Sequence, residues 1–256
     1  MGKGHQDKVA VISGAASGLG EAFAMRLADD GVHIVAADLR PADKAIAHAK
    51  AAGREALSVR CDITVPEQIE ALAKQVQERF GRCDILVNNA GIYPNQYFDQ
   101  MTLADWRRVM AVNLDAMFLL AKAFVPGMQQ RRWGRIVNLA SNTVGLVVEG
   151  LVHYVASKAG VIGFTRALAT EMGPYGITVN AICPSLTRTP GTLSFNQIPG
   201  EMTSQQFFEA IAGMQAIKRV EEPPDLVGAV SFLTSDDCAF ITGQTLYVDG
   251  GLVRGG

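Results

Sequence analysis

Short apolar runs alternate with longer stretches of helical period along most of this chain, which favours a sheet built from strand–helix–strand units. Such alternation predicts a parallel sheet with right-handed crossovers and helices on both faces. The predicted strands are 8–13, 33–38, 56–61, 84–87, 135–140, 177–182 and 245–249. The predicted helices are 21–29, 41–52, 66–80, 103–128, 151–172 and 224–233. Because neither a repeat nor a linker interrupts the 256 residues, we expect one α/β domain over 1–256 with a doubly wound sheet of seven mostly parallel strands.

The alternation is lost between residues 186 and 217, where Thr, Pro, Gly, Phe and Met are mixed around a helical stretch at 205–214. An irregular segment of this length in a compact domain is usually functional. We therefore interpret 186–217 as a substrate lid. The alternative is that its many apolar side chains simply pack onto the core.

Composition and charge narrow the range of partners. A net charge of −2 gives no electrostatic footprint for nucleic acid. The four cysteines are far apart and form no C-x-x-C pair, so neither disulfides nor a metal cluster is expected, and a reducing cytoplasm fits. No apolar run is expected to reach membrane-spanning length, and the polar N-terminus lacks a signal-peptide core. We expect a cytoplasmic protein acting on a small molecule, with no metal.

A glycine-rich turn, Gly14-x-x-x-Gly18-x-Gly20, joins the first strand to the first helix and contains Ser17 and Leu19. A phosphate can approach the backbone closely where side chains are missing, and the amides of a helix N-terminus can bind it. The alternative is an ordinary tight turn. Because a strand precedes the turn and a helix follows it, we favour dinucleotide binding.

An acid ends the second strand about 20 residues beyond the glycine turn, where a carboxylate accepts hydrogen bonds from adenosine ribose hydroxyls. This acid, Asp38, would repel a 2′-phosphate and therefore favours NAD over NADP. Arg40 lies close enough to Asp38 to weaken this preference for NAD over NADP. A helix cap is the alternative role of Asp38.

Other polar or small residues follow the third and fourth strands, and ligands of parallel sheets bind at these carboxyl ends. Asp62, followed by Ile63, either caps a turn or accepts from an adenine amino group. Asn89, Ala90 and Gly91 suit a turn that braces the sheet and borders a cofactor.

Three further positions suggest acid–base chemistry. Tyr154 and Lys158 are four residues apart on a predicted helix and therefore share a face. An ammonium beside a phenol favours the phenolate and lowers its pKa towards the neutral range. Ser141 follows the fifth strand, where its hydroxyl could hold a substrate oxygen. Asn113, inside a long apolar helix, is either an amide satisfied by backbone or a kink that holds a water near the site.

Each of these motifs is weak alone, but in this order and spacing they resemble the short-chain dehydrogenase/reductase family along essentially the whole chain. The resemblance implies a Rossmann-type fold, a nicotinamide cofactor and a homotetramer. It also implies that Tyr154 donates or accepts a proton and that Lys158 lowers its pKa and holds the nicotinamide ribose. In the same scheme Ser141 polarises the substrate oxygen and Asn113 orders a relay water.

The resemblance extends to the end of the sixth strand, with one departure. Pro184, Thr187 and Thr189 match positions that border the nicotinamide. Ser185 occupies the place where the family usually has glycine, so it could narrow the pocket. Tyr93, Val144, Glu149, His153 and Ser185 are positioned to touch substrate, although Glu149 could be a solvated loop acid and His153 is better explained by packing.

Finer similarity points to NAD-dependent aryl secondary-alcohol dehydrogenases of the 1-phenylethanol type, through segments 80–84, 91–94 and 123–128. We therefore expect hydride transfer between NAD and an apolar aromatic or cyclic secondary alcohol. The alternatives are a 3-oxoacyl-thioester reductase using NADPH, a pyridoxal-type or polyol dehydrogenase, and a non-catalytic nucleotide sensor. Enantiopreference and the physiological direction are not predicted.

Overall fold

The computed structural model describes residues 4–146, 148–194 and 202–254, and it places seven strands in one fully parallel sheet. The order across the sheet is β3-β2-β1-β4-β5-β6-β7. The strands are β1 Val9–Ser13, β2 His33–Asp38, β3 Ala56–Arg60, β4 Ile85–Asn88, β5 Gly134–Leu139, β6 Ile177–Pro184 and β7 Thr245–Val248. The direction of winding reverses between β1 and β4, which is the point where open parallel sheets bind ligands. All seven predicted strands are confirmed, with ends shifted by one or two residues.

Helices cover both faces of the sheet, as the alternation predicted. They are α1 Gly18–Asp29, α2 Asp43–Ala51, α3 Pro66–Phe80, α4 Leu103–Met110, α5 Ala116–Arg131, α6 Val152–Met172, α7 Pro190–Leu193, α8 Ser204–Met214 and α9 Pro224–Leu233. Alternate residues of β1 belong to different core clusters because successive side chains of a strand point to opposite faces. Val11 packs with Leu72 of α3 and Phe124 of α5, whereas Ile12 packs with Phe23 of α1 and the α9 face.

A π-helical turn over Ala111–Asp115 separates α4 from α5, so the prediction of one regular helix over 103–128 is wrong in its middle. The cause is Asn113, whose amide is hydrogen-bonded to the main chain of Ile92. Turns of this kind are rare and frequently occur at functional sites.

The expectation that no helix is long and apolar enough to span a membrane also needs correction. The stretch Leu103–Arg131 passes that test by length and composition, with a mean hydropathy of 1.6. However, 44% of its most apolar window is buried, and Leu120, Phe124 and Met128 belong to the core against the sheet. A core helix of a folded domain passes the same test, so this is weak support for a membrane span.

In its described residues, the segment predicted as a lid contains two helices, α7 and α8, which follow the end of β6 and precede the start of α9. Residues 195–201 of this segment lie outside the described residues. At its base, Thr187 forms a parallel bridge with Glu221, so the outgoing and returning chains lie side by side.

Candidate active site

A cleft of about 1860 Å³ follows the carboxyl ends of the strands and opens beneath α8. It brings together most of the residues predicted to bind cofactor or substrate. Those that line it are Gly14, Ser17, Gly18, Leu19, Asp38, Asp62, Ile63, Asn89, Ala90, Gly91, Tyr93, Ser141, Glu149, Tyr154, Lys158, Pro184, Ser185, Thr187 and Thr189. Four predicted residues are not on its walls: Gly20, Asn113, Val144 and His153.

The glycine turn has the geometry that a phosphate requires. Gly14 and Gly18 have φ of +69° and +60°, which side chains rarely allow. A Cβ on Gly20 would lie 2.2 Å from the Gly14 carbonyl oxygen, so Gly20 allows close packing and does not line the cleft. Within the described chain, the hydroxyl of Ser17 caps none of the α1 amides. The first backbone N–H groups of α1 therefore have no side-chain cap, and they are available to bind an anion in the cleft.

Asp38 lies beside this turn at the end of β2. Its Oδ2 accepts from the Ala16 N–H at 3.0 Å and its Oδ1 accepts from the Arg40 N–H at 3.0 Å. The Arg40 guanidinium is largely exposed and donates to the Ser17 hydroxyl at 2.8 Å, with Nε 4.0 Å from the carboxylate. The adenosine end of the cleft thus carries one carboxylate and one cation, and both predicted influences on cofactor choice are present.

A hydrogen-bonded brace joins the ends of β1 and β4 where the two halves of the sheet meet. The Ser13 hydroxyl accepts from the amides of Asn89 and Ala90, each at 3.1 Å. The Asn89 side chain donates to the carbonyls of Ser13 and Gly14 at 2.9 and 3.1 Å. Ser13 was missed from the sequence, although a hydroxyl ending an otherwise apolar strand was its signal.

At the adenine end, Asp62 has the capping role that was one of its two predicted interpretations. Its Oδ1 accepts from both the N–H and the hydroxyl of Thr64. These hydrogen bonds hold the pKa of Asp62 below its usual value. The carboxylate also lines the cleft, so the cap and an adenine contact are compatible.

Ser141, at the end of β5, is oriented by a residue that sequence analysis missed. Its Oγ accepts from the N–H of Thr143 at 3.2 Å and from the hydroxyl of Thr143 at 3.0 Å. With two hydrogen bonds accepted, the proton of Ser141 is left for a further acceptor, and Ser141 lies near enough to Tyr154 to lower the pKa of its phenol. The same proton can be donated to a substrate oxygen in the cleft.

Tyr154 and Lys158 share one face of α6, as predicted, but the expected lowering of the tyrosine pKa is wrong in this structure. Burial raises the pKa of Tyr154 to about 12 and outweighs the hydrogen bond from Ser141, which lowers it. The Lys158 ammonium is 5.8 Å from the ring centroid and donates to the Leu139 carbonyl at 2.6 Å. Burial lowers the pKa of Lys158 to about 8. Desolvation therefore dominates both groups.

Asn113 lies behind this pair, inside the π-helical turn. Its Nδ2 donates to the Ile92 carbonyl at 2.9 Å and to the Ser157 hydroxyl at 3.1 Å, while its Oδ1 accepts from the Ile92 N–H at 2.8 Å. Asn113 is thus both an amide satisfied largely by backbone and the centre of a kink. A relay water remains a prediction, and it would have to be held by main-chain groups or by Oδ1, because both amide hydrogens are used.

The predicted substrate-pocket residues divide into two groups. Tyr93, Glu149 and Ser185 line the cleft, and Tyr93 meets Tyr154 edge-on with ring centroids 6.2 Å apart. His153 is fully buried and its Nδ1 accepts from the Tyr154 N–H, so it packs the helix as its position next to Tyr154 suggested. Val144 joins a small core cluster with Met117 and Val161. Substrate contact by these two residues is not supported.

The lid helix α8 supplies an apolar wall to the cleft. Phe207, Ile211 and Met214 line it, whereas Phe208 is buried and lies under the guanidinium of Arg188 at 5.5 Å. One face of α8 thus borders the cleft and the other packs onto the protein, and the function of the segment as a substrate lid stays a prediction.

Known proteins resemble this chain over nearly its whole length. A family model described as enoyl-(acyl carrier protein) reductase matches residues 14–253. The subunit BbsD of (2S)-[(R)-hydroxy(phenyl)methyl]succinyl-CoA dehydrogenase from Thauera aromatica is 39% identical, covering 97% of both chains. The 3-oxoacyl-[acyl-carrier-protein] reductase FabG of Vibrio cholerae is 36% identical, covering 96% of this chain and 98% of its own.

Solved structures agree on the fold. Levodione reductase superposes with a TM-score of 0.88 at 33% identity, covering 96% of this chain and 97% of its own. The aldohexose dehydrogenase of Thermoplasma acidophilum superposes with a TM-score of 0.89 at 30% identity, covering 100% and 98%.

A doubly wound parallel sheet, a glycine turn at its switch point and a Ser–Tyr–Lys constellation at the end of the same cleft define an oxidoreductase that works with a nicotinamide cofactor. The matches are long and cover nearly all of both chains. The chain belongs to the short-chain dehydrogenase/reductase family.

Proposed function

We propose that this protein is an NAD-dependent dehydrogenase that interconverts a secondary alcohol and its ketone, with an aromatic or cyclic apolar group beside the reacting carbon. The observation that carries the substrate class is the apolar wall that Phe207, Ile211 and Met214 of α8 contribute to the cleft that Tyr154 also lines. The cofactor preference rests on Asp38, because its carboxylate would repel a 2′-phosphate.

The side chains of the protein would transfer the proton, and NAD, when bound, would accept the hydride. The Ser141 proton, directed by Thr143, holds the alcohol or carbonyl oxygen. Tyr154 Oη then accepts the hydroxyl proton in oxidation or returns it in reduction. Lys158 lies beside Tyr154 at the cleft wall, and in the reaction its ammonium would stabilise the phenolate as it forms and would hold the ribose.

The name of one relative supports an aryl alcohol. The BbsD protein, 39% identical, is a subunit of a dehydrogenase whose named compound carries a hydroxy(phenyl)methyl group, that is, a secondary alcohol beside an aromatic ring. Levodione reductase, a structural neighbour, is by its name also a reductase.

The relatives taken together favour a second candidate more strongly, a 3-oxoacyl-thioester reductase using NADPH. Proteins named 3-oxoacyl-[acyl-carrier-protein] reductase recur among the similar sequences, at 34–36% identity. Arg40, whose guanidinium reaches Ser17, supplies a cation where a 2′-phosphate would bind. Glu149 also lines the cleft, and a carboxylate there would favour a polar substrate. The third candidate is therefore a dehydrogenase for a polyol or a pyridoxal-type alcohol.

Kinetic measurements with both cofactors and a set of substrates distinguish these candidates. We would measure kcat/KM with NAD(H) and NADP(H) for each enantiomer of 1-phenylethanol, cyclohexanol, acetoacetyl thioester and a sugar alcohol. Turnover of the aryl or cyclic alcohols with NAD at least tenfold above every other combination is expected. A higher value for the thioester with NADPH would establish the second candidate, and turnover of the polyol alone would show that Glu149 faces the substrate.

Localisation in the cytoplasm stays a prediction. It is supported by the four cysteines, which are all buried as free thiols and match a reducing compartment.

A further inference from the structure

A buried carboxylate lies at the base of the lid, outside the group of residues used above. Glu221 is only 5% exposed, although it belongs to the stretch that returns from the lid to α9. Carboxylates are almost never buried to this degree unless they are paired or hydrogen-bonded. The partners of Glu221 therefore indicate why it is there.

Both oxygens of Glu221 are directed at the segment that leaves β6. Its Oε2 accepts from the Ser185 N–H at 3.3 Å and its Oε1 accepts a short hydrogen bond from the Thr187 hydroxyl. The Glu221 carbonyl also accepts from the Arg188 N–H at 2.8 Å. The carboxylate thus fixes the backbone of Ser185 and the side chain of Thr187, which both line the cleft.

Gln215, at the end of α8, completes the attachment. Its side-chain oxygen accepts from the Ser185 hydroxyl at 3.0 Å, and its Nε2 donates to the carbonyls of Ile217 and Arg219 at 3.0 and 2.8 Å. Gln215 is 3% exposed. Ser185, which occupies the position where the family usually has glycine, is therefore hydrogen-bonded through its side chain to Gln215 at the end of α8.

We propose that Glu221, assisted by Gln215, is a positioning residue that holds Ser185–Thr189 in the shape of a wall for the nicotinamide half of the cofactor. It acts through Ser185 and Thr187 and touches no reacting atom. Burial raises the pKa of Glu221 to about 7, and Asp225 and Asp249 add to the rise, whereas the hydrogen bonds from Thr187 and Ser185 lower it. Asp38, by contrast, accepts hydrogen bonds from Ala16 and Arg40 and none from Ser185–Thr189, so we expect the effect to be largest for the nicotinamide half of the dinucleotide.

The test compares two ligands that share the adenosine half. NADH carries the nicotinamide and ADP-ribose lacks it, and dissociation constants for both are measured by fluorescence and calorimetry on the purified protein. Glu221→Ala removes a charge-assisted hydrogen bond, so we expect the Kd for NADH to rise about tenfold while the Kd for ADP-ribose changes less than about twofold. If NADH does not bind, NADPH and its 2′-phosphorylated ADP-ribose replace the pair, which keeps this test independent of the proposed substrate and cofactor.

Two variants make the result decisive. Glu209→Gln is the control, because Glu209 is an exposed glutamate of α8 whose side chain accepts from Gln205 on the same helix, and both dissociation constants should stay as in the wild type. Glu221→Gln keeps the shape and one acceptor, so a smaller rise for NADH alone is expected even if Glu221→Ala does not fold. A parallel rise for both ligands, or no selective rise for NADH in either Glu221 variant, overturns the proposal.

Discussion

The proton of Ser141 is directed by its neighbour, and this detail controls the chemistry at the scale of single residues. Thr143 donates two hydrogen bonds to Ser141 Oγ, so the serine proton is left for Tyr154 or for a substrate oxygen. A hydroxyl that accepts twice and donates once has a defined orientation. The Ser141 hydroxyl can therefore donate its one proton to a substrate oxygen that also contacts Tyr154.

Replacing the proposed proton carrier should abolish turnover and leave binding intact. We expect Tyr154→Phe to lower kcat by at least about 100-fold, because general acid–base catalysis contributes about 10²–10⁴-fold. The Kd for NADH should stay within about threefold of the wild type, since the phenol contributes its proton and the ring remains. Full turnover by the purified variant, checked by steady-state kinetics, would contradict the assignment.

The two buried groups predict opposite pH dependence for the two directions. With a pKa of about 12, Tyr154 is protonated at neutral pH, so the phenolate needed for oxidation increases with each pH unit. Lys158, with a pKa of about 8, loses its stabilising charge above that pH. The rate of alcohol oxidation should rise steeply up to about pH 8 and more slowly beyond it. Ketone reduction needs the protonated phenol and should not rise with pH, and a reduction rate that increased from pH 6 to 9 would be inconsistent with this assignment.

Cofactor choice should respond to one carboxylate. Asp38→Ser removes the charge that repels a 2′-phosphate and leaves Arg40 and Ser17 beside it. We expect the ratio of kcat/KM for NADP over NAD to rise at least tenfold, which corresponds to about 1.4 kcal/mol. The double variant Asp38→Ser with Arg40→Ala is the control, and it should lose most of that gain. An unchanged ratio would mean that cofactor choice is made elsewhere.

At the scale of secondary-structure elements, the π-helical turn between α4 and α5 is the feature that binds the catalytic helix to the fourth strand. Asn113 connects the Ile92 main chain, just beyond β4, with Ser157 on α6. A regular helix would rotate the Asn113 amide away from these partners. The distorted turn is thus the local condition for a three-element contact beneath the cleft.

Removing this amide should destabilise the protein. Asn113→Ala leaves the N–H and carbonyl of Ile92 without their side-chain partner, and we expect the free energy of unfolding to fall by about 2 kcal/mol. Asp115→Ala, an exposed position in the same turn, should change it by less than about 0.5 kcal/mol. Urea unfolding of both variants measures the difference, and equal losses would show that Asn113 has no special role in stability.

The lid base should make stability depend on pH. The pKa of Glu221 is raised from 4.5 to about 7, so the buried carboxyl favours folding most when it is protonated. This contribution, about 3 kcal/mol by linkage, is complete below about pH 4.5 and is lost as the pH rises through about 7. The Tm of Glu221→Gln relative to the wild type should therefore increase between pH 5 and pH 8. A constant difference in Tm over that range would contradict the assignment.

At the scale of the whole molecule, apolar side chains remain exposed on the helices around the π-helical turn. Leu103 of α4, Phe118 of α5 and Val152 of α6 are each more than 40% exposed, and Phe240 near β7 is fully exposed. We propose that these helices meet other copies of the chain in a homotetramer. Light scattering should give about four times the 27.3 kDa chain mass, and Phe118→Lys should reduce it. A monomer of the wild-type protein at micromolar concentration would end this proposal.

The sheet and the order of elements along the chain were predictable because short, continuously apolar runs such as Val9–Ser13 alternate with longer stretches of helical period, and this pattern is local. The cleft was predictable because every residue that ends a strand must meet its neighbours at one edge of a parallel sheet. A kink at Asn113 was one of two alternatives from the sequence, but its π-helical form was not predictable, since it involves the contact of Asn113 with Ile92, 21 positions away. The role of Glu221 and the raised pKa of Tyr154 depend on burial by distant segments, which no local pattern encodes.

The attachment of Ser185 and Thr187 to Gln215 and Glu221 has a consequence for how this enzyme can change. The two strands of chain at the base of the lid hold each other, so the segment between them is a loop whose ends are already closed. Changing the length of such a loop costs little, because closure entropy grows only slowly with length. Helices α7 and α8 can therefore be exchanged or engineered to change the substrate range, while Ser185, Thr187, Gln215 and Glu221 keep the base of the lid in place.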